Sequence, residues 1–135
     1  MGNVTKNISR HELECKCNKC NVRIQDHELV IEVVQNICDV IAEKYGVDKV
    51  RLLILSPARC YEYNRIPVAD DGPGSNDESQ HPRCTAMDID IFVGDERVPP
   101  SKVYEIANNM YPFGFGMGVY SWGLHIDCRS IKKRW

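Results

Sequence analysis

Two of the chain's four histidines stand in short segments that otherwise read as strands. His81 opens "HPRCTAMDID", with Asp88 seven residues on, and His125 lies in "GLHIDCR", two residues before Asp127. Imidazole nitrogens and carboxylate oxygens are zinc-binding donors, and three protein ligands leave a fourth tetrahedral position for water. Bound zinc brings the pKa of that water to about 7, which makes hydroxide available at neutral pH. If the two segments are neighbouring strands, His81, Asp88 and His125 come within reach of one ion. Spacing alone leaves the plainer alternatives open: a loop histidine at 81 and a strand-edge carboxylate at 88.

A second group of donors is "CKCNKC", with Cys15, Cys17 and Cys20. Three thiolates plus Cys38, Cys60 or His11 would complete a structural tetrahedral site. Cys-x-Cys-x2-Cys is not a zinc-ribbon spacing, so free or paired thiols stand beside that reading.

The elements that must position these groups follow from periodicity. In "AMDIDIFV", Met87, Ile89 and Ile91 point one way and Asp88 and Asp90 the other, as in a strand. On the last strand His125, Asp127 and Arg129 share a face, while Leu124, Ile126 and Cys128 share the opposite one. "FGFGMGVYSWGLHIDCRSI" reads as two short strands with a Gly-rich turn. "VRLLIL", Val50 to Leu55, reads as a buried strand. Asp26 is a candidate cap for a helix over His27 to Tyr45, with Leu29, Val33, Ile37, Val40 and Ile41 as its apolar stripe and Gly46 after its end. A second helix follows "PPS", with Val103, Ile106, Ala107 and Met110 inward. Ser9-x-x-Glu12 is a capping box for a short turn. Cys60 to Gln80 reads as one long Gly/Pro/Ser/Asp-rich loop.

Composition narrows the function classes. At 135 residues one domain over 1–135 is expected, its first 25 residues forming a Cys-containing segment. The net charge of −2 argues against a general nucleic-acid binder, and the basic "RSIKKRW" reads as a solvated tail. No apolar run approaches a membrane span, and "MGNVTKNISRHELE" lacks the apolar core of a signal peptide. "MGNVTK" fits the myristoylation pattern only loosely and is read as chance. The expectation is a monomer made in the cytoplasm, phage-encoded or brought to the cell wall by another route.

The order of motifs resembles the zinc D-Ala-D-Ala carboxypeptidase and hedgehog superfamily, in its small phage and bacterial cell-wall peptidase type. "ISRHELECKCNKC" resembles the family's "FSLSEFxCKC", and "LLILSPARCYEYN" resembles "xxINSGYRCPxYN". "SQHPRCTAMDIDI" resembles "SxHxxGxAxDI", "GFGMGVYSWGLHIDCR" resembles "GGIGxYxxFxHxDxR", and the closing Trp135 also recurs. The resemblance implies one catalytic Zn2+ on His81, Asp88 and His125. It implies Arg59 as the arginine that meets the substrate carbonyl, where a guanidinium steadies an oxyanion. It implies Ser79 and Tyr120 beside the substrate.

Departures from the family pattern bear on the chemistry. Relatives often carry Asp or Glu three residues before the last histidine, where this chain has Trp122. Asp127 then has two open roles, a proton shuttle or a partner that orients a ligand, and Asp90 is a lesser candidate base. The family glycine after the first histidine is Cys84, either near the metal or packed as a small thiol.

The expected fold is α+β, a small antiparallel sheet carrying the zinc site with two or three helices packed on it. The expected function is a zinc metallopeptidase on peptidoglycan stem peptides, of the D-Ala-D-Ala carboxypeptidase or L,D/D,D-endopeptidase type. The alternatives are a catalytically inactive zinc-containing binding module of the same fold, and a scaffold in which the Cys cluster is the functional part.

Overall fold

Strand alternation builds a sheet with one oily face and one ionic face. The computed structural model of the chain describes residues 2–17, 20–59, 64–67, 69 and 80–135. Its strands are β1 (Arg51–Ser56), β2 (Ala86–Val93), β3 (Glu96–Arg97), β4 (Gly116–Tyr120), β5 (Gly123–Asp127) and β6 (Lys133–Arg134). Its helices are α1 (Leu29–Tyr45) and α2 (Pro100–Met110). The sheet order is β1-β2-β5-β4-β6, with β3 paired to β2. Met87, Ile89, Ile91, Met117, Leu124 and Ile126 join one apolar cluster with residues of both helices. Asp88 pairs in register with His125, and His125 in turn with Gly118, so these three lie in one row across β2, β5 and β4.

The α+β expectation holds, with one departure: β6 runs parallel to β4. "RSIKKRW" is therefore not a solvated tail. Val119 N–H donates to the Trp135 carbonyl at 3.1 Å, and Trp135 N–H to the Met117 carbonyl at 3.1 Å. The Arg134 guanidinium donates to the carbonyls of Tyr111, Gly114 and Phe115 and to Asn108 Oδ1. Such carbonyls are costly to leave unmet, which explains why a basic side chain is drawn inward here.

Three other expectations shift. "VRLLIL" forms β1, but β1 is the sheet edge, so its residues alternate between exposed and buried instead of being buried throughout. On α1 the inward stripe is broader and turned: Val30, Ile31, Val34, Cys38 and Ala42 are buried with Val33, Ile37 and Ile41, while Leu29 is exposed. The cause is a second covering layer. The N-terminal arm is tied to α1 by Gln35, which bonds Thr5 and Asn7, and contributes Ile8, Leu13 and Ile24 to the same core. Asp26 does not cap α1; it is held by Arg10 at 2.6 Å and Arg23 at 3.0 Å, and the helix begins two residues later than expected.

Most of the remaining local signals read as expected. Ser9 N–H bonds Glu12 Oε1 at 2.9 Å and opens a 3-10 turn, Arg10–Leu13. Gly46 ends α1 at φ 67°, a left-handed conformation that glycine adopts without a Cβ clash. Val103, Ile106 and Ala107 are buried on α2, with Met110 against the core. The last hairpin departs from the Gly-rich turn expected: Gly116 and Gly118 sit in β4, Gly123 opens β5, and the turn itself is Ser121–Trp122. Most of the long loop after Arg59, including Cys60 and Ser79, lies outside the described residues. Among the described residues no helix is long and apolar enough to cross a membrane.

Candidate metal centre

The ionic face of the sheet is covered, and that sets its chemistry. Asp88, Asp90, His125 and Asp127 are all buried, as are His81 and Arg59 next to them. Buried charges need partners, and each of these has them.

His81 stands at the start of a 3-10 turn, His81–Arg83. Its Nδ1 lies 2.7 Å from the Pro57 carbonyl. A carbonyl only accepts, so Nδ1 carries the proton and Nε2 of the neutral ring has a bare lone pair. That lone pair faces Asp88 Oδ1 at 3.2 Å. Nδ1 of His125 lies 2.8 Å from the same Oδ1, and His125 Nε2 lies 2.8 Å from Asp127 Oδ2. In the neutral ring, with Nε2–H donating to Asp127, Nδ1 has the lone pair, and it is aimed at Asp88.

Three acceptors thus meet at one point unless two protons or one cation lies among them. The three ligand atoms are all within 4.8 Å of one another. In a tetrahedral zinc site with bonds of about 2.0–2.1 Å, neighbouring donors are about 3.3 Å apart. The donor types, tautomers and separations fit a zinc ion. The same network polarises the groups themselves. With protons there in place of a cation, hydrogen bonds from His125 and His81 outweigh the burial that opposes the Asp88 charge and hold the carboxyl well below the usual range. Burial likewise opposes charge on His125, and bonds with Asp127 and Asp88 override it and raise its pKa.

Asp127 is completely buried. Arg129 Nε and a terminal nitrogen reach its two oxygens at 2.7 Å each, and Arg129 N–H adds a third bond at 3.2 Å. Burial disfavours its charge, but His125 and Arg129 keep it well below the usual carboxyl range. An aspartate behind a metal-facing histidine fixes that ring's tautomer and orientation. Two glycines make room for this packing. A Cβ on Gly116 would lie 2.6 Å from the Asp127 oxygens and Arg129 Nε, and one on Gly118 would collide with the Trp135 indole.

Arg59 is clamped on three sides: Nε to Ser56 Oγ at 2.8 Å, one terminal nitrogen to Asn64 Oδ1 at 3.0 Å, the other to Asp88 Oδ2 at 3.3 Å. The guanidinium therefore borders the outer oxygen of a candidate ligand. Tyr120 is further out. It is partly exposed, stacks on Trp122 at 4.6 Å, and accepts a bond from Trp135 Nε1 at 2.5 Å. The Trp135 ring is 5.2 Å from the His125 ring, which makes it the link between Tyr120 and the centre. Asp90 is engaged elsewhere, by Arg97 Nε at 3.0 Å. Among the described residues, no carboxylate other than Asp88 and Asp127 contacts the His81 or His125 rings.

Cys84 does not join the metal group. It caps the His81 turn at φ 60°, ψ 27°, its N–H donating to the His81 carbonyl. That left-handed geometry gives the physical reason a glycine suits the position. Of the fourth ligands considered for the cysteine group, Cys38 is buried in the α1 core, where desolvation pushes its thiol up to about 12. His11 is exposed, and Cys60 lies outside the described residues. Arg129, Asn64, Pro57 and Trp135 had no assigned part in the site. Arg129 left a trace in sequence as the third member of the His125/Asp127 alternation, and Trp135 as the closing residue shared with the resembled family.

A family model described as Peptidase M15 matches residues 6–127. No curated protein and no solved structure matches the chain. The match spans most of the sequence and contains His81, Asp88 and His125, and the chain belongs to the Peptidase M15 family.

Proposed function

We propose that this chain is a zinc-dependent peptidase that hydrolyses peptides of bacterial peptidoglycan, at a stem-peptide or cross-link bond. The observation that carries this reading is the convergence of two imidazole nitrogens on Asp88 Oδ1, at 2.8 and 3.2 Å. His81 Nε2, Asp88 Oδ1 and His125 Nδ1 would hold the ion. Zinc in such a three-ligand site supplies a Lewis acid and an acidified water at neutral pH.

The chain's own residues do the rest. Pro57 fixes His81 through its carbonyl, and Asp127 with Arg129 fixes His125. A buried acid with four bonds to its two oxygens is a poor carrier of protons. Of the two roles open to Asp127, orienting His125 is the one that its surroundings favour. Arg59 neutralises the outer oxygen of Asp88, and in this reading its positive charge steadies the oxyanion that forms on a scissile carbonyl. Ser79 and Tyr120 are assigned to substrate contact on the strength of the family pattern, and Tyr120's exposed face supports that assignment.

The test is hydrolysis of purified peptidoglycan and of short muropeptides, including ones ending in D-Ala-D-Ala. Metal-free protein should be inactive, zinc should restore release of amines, and His81→Ala should stay inactive with zinc. Full activity of His81→Ala would overturn the proposal. A second reading has its own support in Trp122, which stands where relatives carry a carboxylate. Tight zinc binding without turnover of any muropeptide would select that reading, a binding module of the same fold.

A further inference from the structure

Cys15, Cys17 and Cys20 lie outside the helices and strands of the described residues. The base of their segment is a single bridge between Glu14 and Arg23. Cys15 N–H bonds the Val22 carbonyl at 2.8 Å, and Ile24 N–H bonds the Leu13 carbonyl at 2.9 Å. Leu13 and Ile24 are fully buried and anchor the two ends. Between these anchors, among the described residues, three thiols converge.

The three sulfurs lie within 4.8 Å of one another, and Cys17 Sγ is 3.3 Å from Cys20 Sγ. A disulfide needs sulfurs at about 2.05 Å, while thiolates sharing one tetrahedral zinc sit about 3.8 Å apart. The observed spacing is closer to the second. Burial is graded, with Cys15 at the base, Cys17 half-covered and Cys20 exposed. An ion can therefore enter from solvent without opening the fold. The hollows beside Cys15 and Cys20 are lined by Glu12, Glu14, Lys16 and Arg23, two carboxylates and two cations, so the thiols themselves are the donors that mark the place. Three thiolates form a soft donor set of the kind that selects zinc over magnesium or calcium.

We propose that Cys15, Cys17 and Cys20 form a second metal site, a structural thiolate site for zinc that serves as the core of the Leu13–Ile24 segment. Metal in the cysteine site would hold the N-terminal segment in place without taking part in hydrolysis.

The test uses the full chain, purified with reductant and loaded with zinc or cobalt. Wild type should bind about two ions, and His81→Ala/His125→Ala about one, with thiolate-to-cobalt charge-transfer absorption retained. Cys15→Ser/Cys17→Ser/Cys20→Ser should also bind about one ion and lack that absorption. Should the triple variant fail to fold, Cys20→Ser, an exposed change, should weaken the thiolate-to-cobalt band while leaving the histidine site loaded. In the histidine variant, chelation should speed amide exchange over residues 13–24. Equal zinc content in wild type and the cysteine variant would overturn the proposal. So would cobalt-loaded wild type without thiolate absorption, or a Cys17–Cys20 disulfide that persists in reductant. None of these outcomes depends on peptidase activity, so the second site and the proposed function can fail separately.

Discussion

The two donor clusters are built in opposite ways. His81, Asp88 and His125 are buried, two of them on paired strands, and each is held from behind: by the Pro57 carbonyl, by Arg59, and by Asp127 with Arg129. Cys15, Cys17 and Cys20 stand on a segment closed by one bridge, with exposed ion pairs of Asp26 with Arg10 and Arg23 at its base. The first cluster is organised by the protein and can receive a metal with little rearrangement. In the second, the proposed ion would be the main tie between the three thiols. A site that must orient a reacting bond benefits from the first construction, and a site that only needs to hold a chain segment can use the second.

Four changes would break or sharpen this contrast. Asp88→Ala should have the largest effect. It removes the shared partner of two histidines and leaves Arg59 buried without its carboxylate, a loss of about 3–5 kcal/mol in denaturant unfolding together with loss of the histidine-site metal. Asp127→Asn keeps the shape but weakens the support for His125. Zinc affinity of that site, followed by competition with a chelator, should fall about 10–100-fold with the cysteine site unaffected. Cys84→Gly should act in the other direction, relieving a left-handed non-glycine residue and stabilising the fold by about 1 kcal/mol in the same unfolding assay.

The smallest effect is expected at the base of the cysteine segment. Hydrogen bonds from Arg10 and then Arg23 lower the Asp26 carboxyl from 3.8 to about 2. Its folded pKa lies below its unfolded one, so its contribution is complete above pH about 4 and is lost as pH falls through about 2. Asp26→Asn should hasten amide exchange in residues 13–24 at pH 7 and barely move global unfolding. The difference from wild type should shrink as pH falls toward 2 and vanish below it.

What could be read from the sequence follows the range of the interactions. Period-two alternation identified the Asp88 and His125 faces, because a strand's two faces are set by neighbours two residues apart. Ser9 with Glu12 and Gly46 are equally local. What stayed hidden depends on partners far along the chain. The turned stripe of α1 reflects an N-terminal arm that the helix pattern cannot reveal. β6 forms because Arg134 meets carbonyls of residues 111, 114 and 115, and Trp135 can lie beside His125 because Gly118 leaves space for it. The left-handed turn at Cys84 was obscured because the residue there is not glycine. The supports of the candidate site were therefore harder to read than its ligands: Pro57, Asn64 and Trp135 act through register and packing, which leave no periodic mark.

A crystal of the Cys15→Ser/Cys17→Ser/Cys20→Ser variant soaked with zinc, with anomalous data collected at the zinc edge, addresses the central claim most directly. One peak is expected, about 2.0–2.2 Å from His81 Nε2, Asp88 Oδ1 and His125 Nδ1, with Asp127 on the far side of the His125 ring. A fully soaked crystal with no peak there, or with zinc on His125 Nε2 instead, would contradict it.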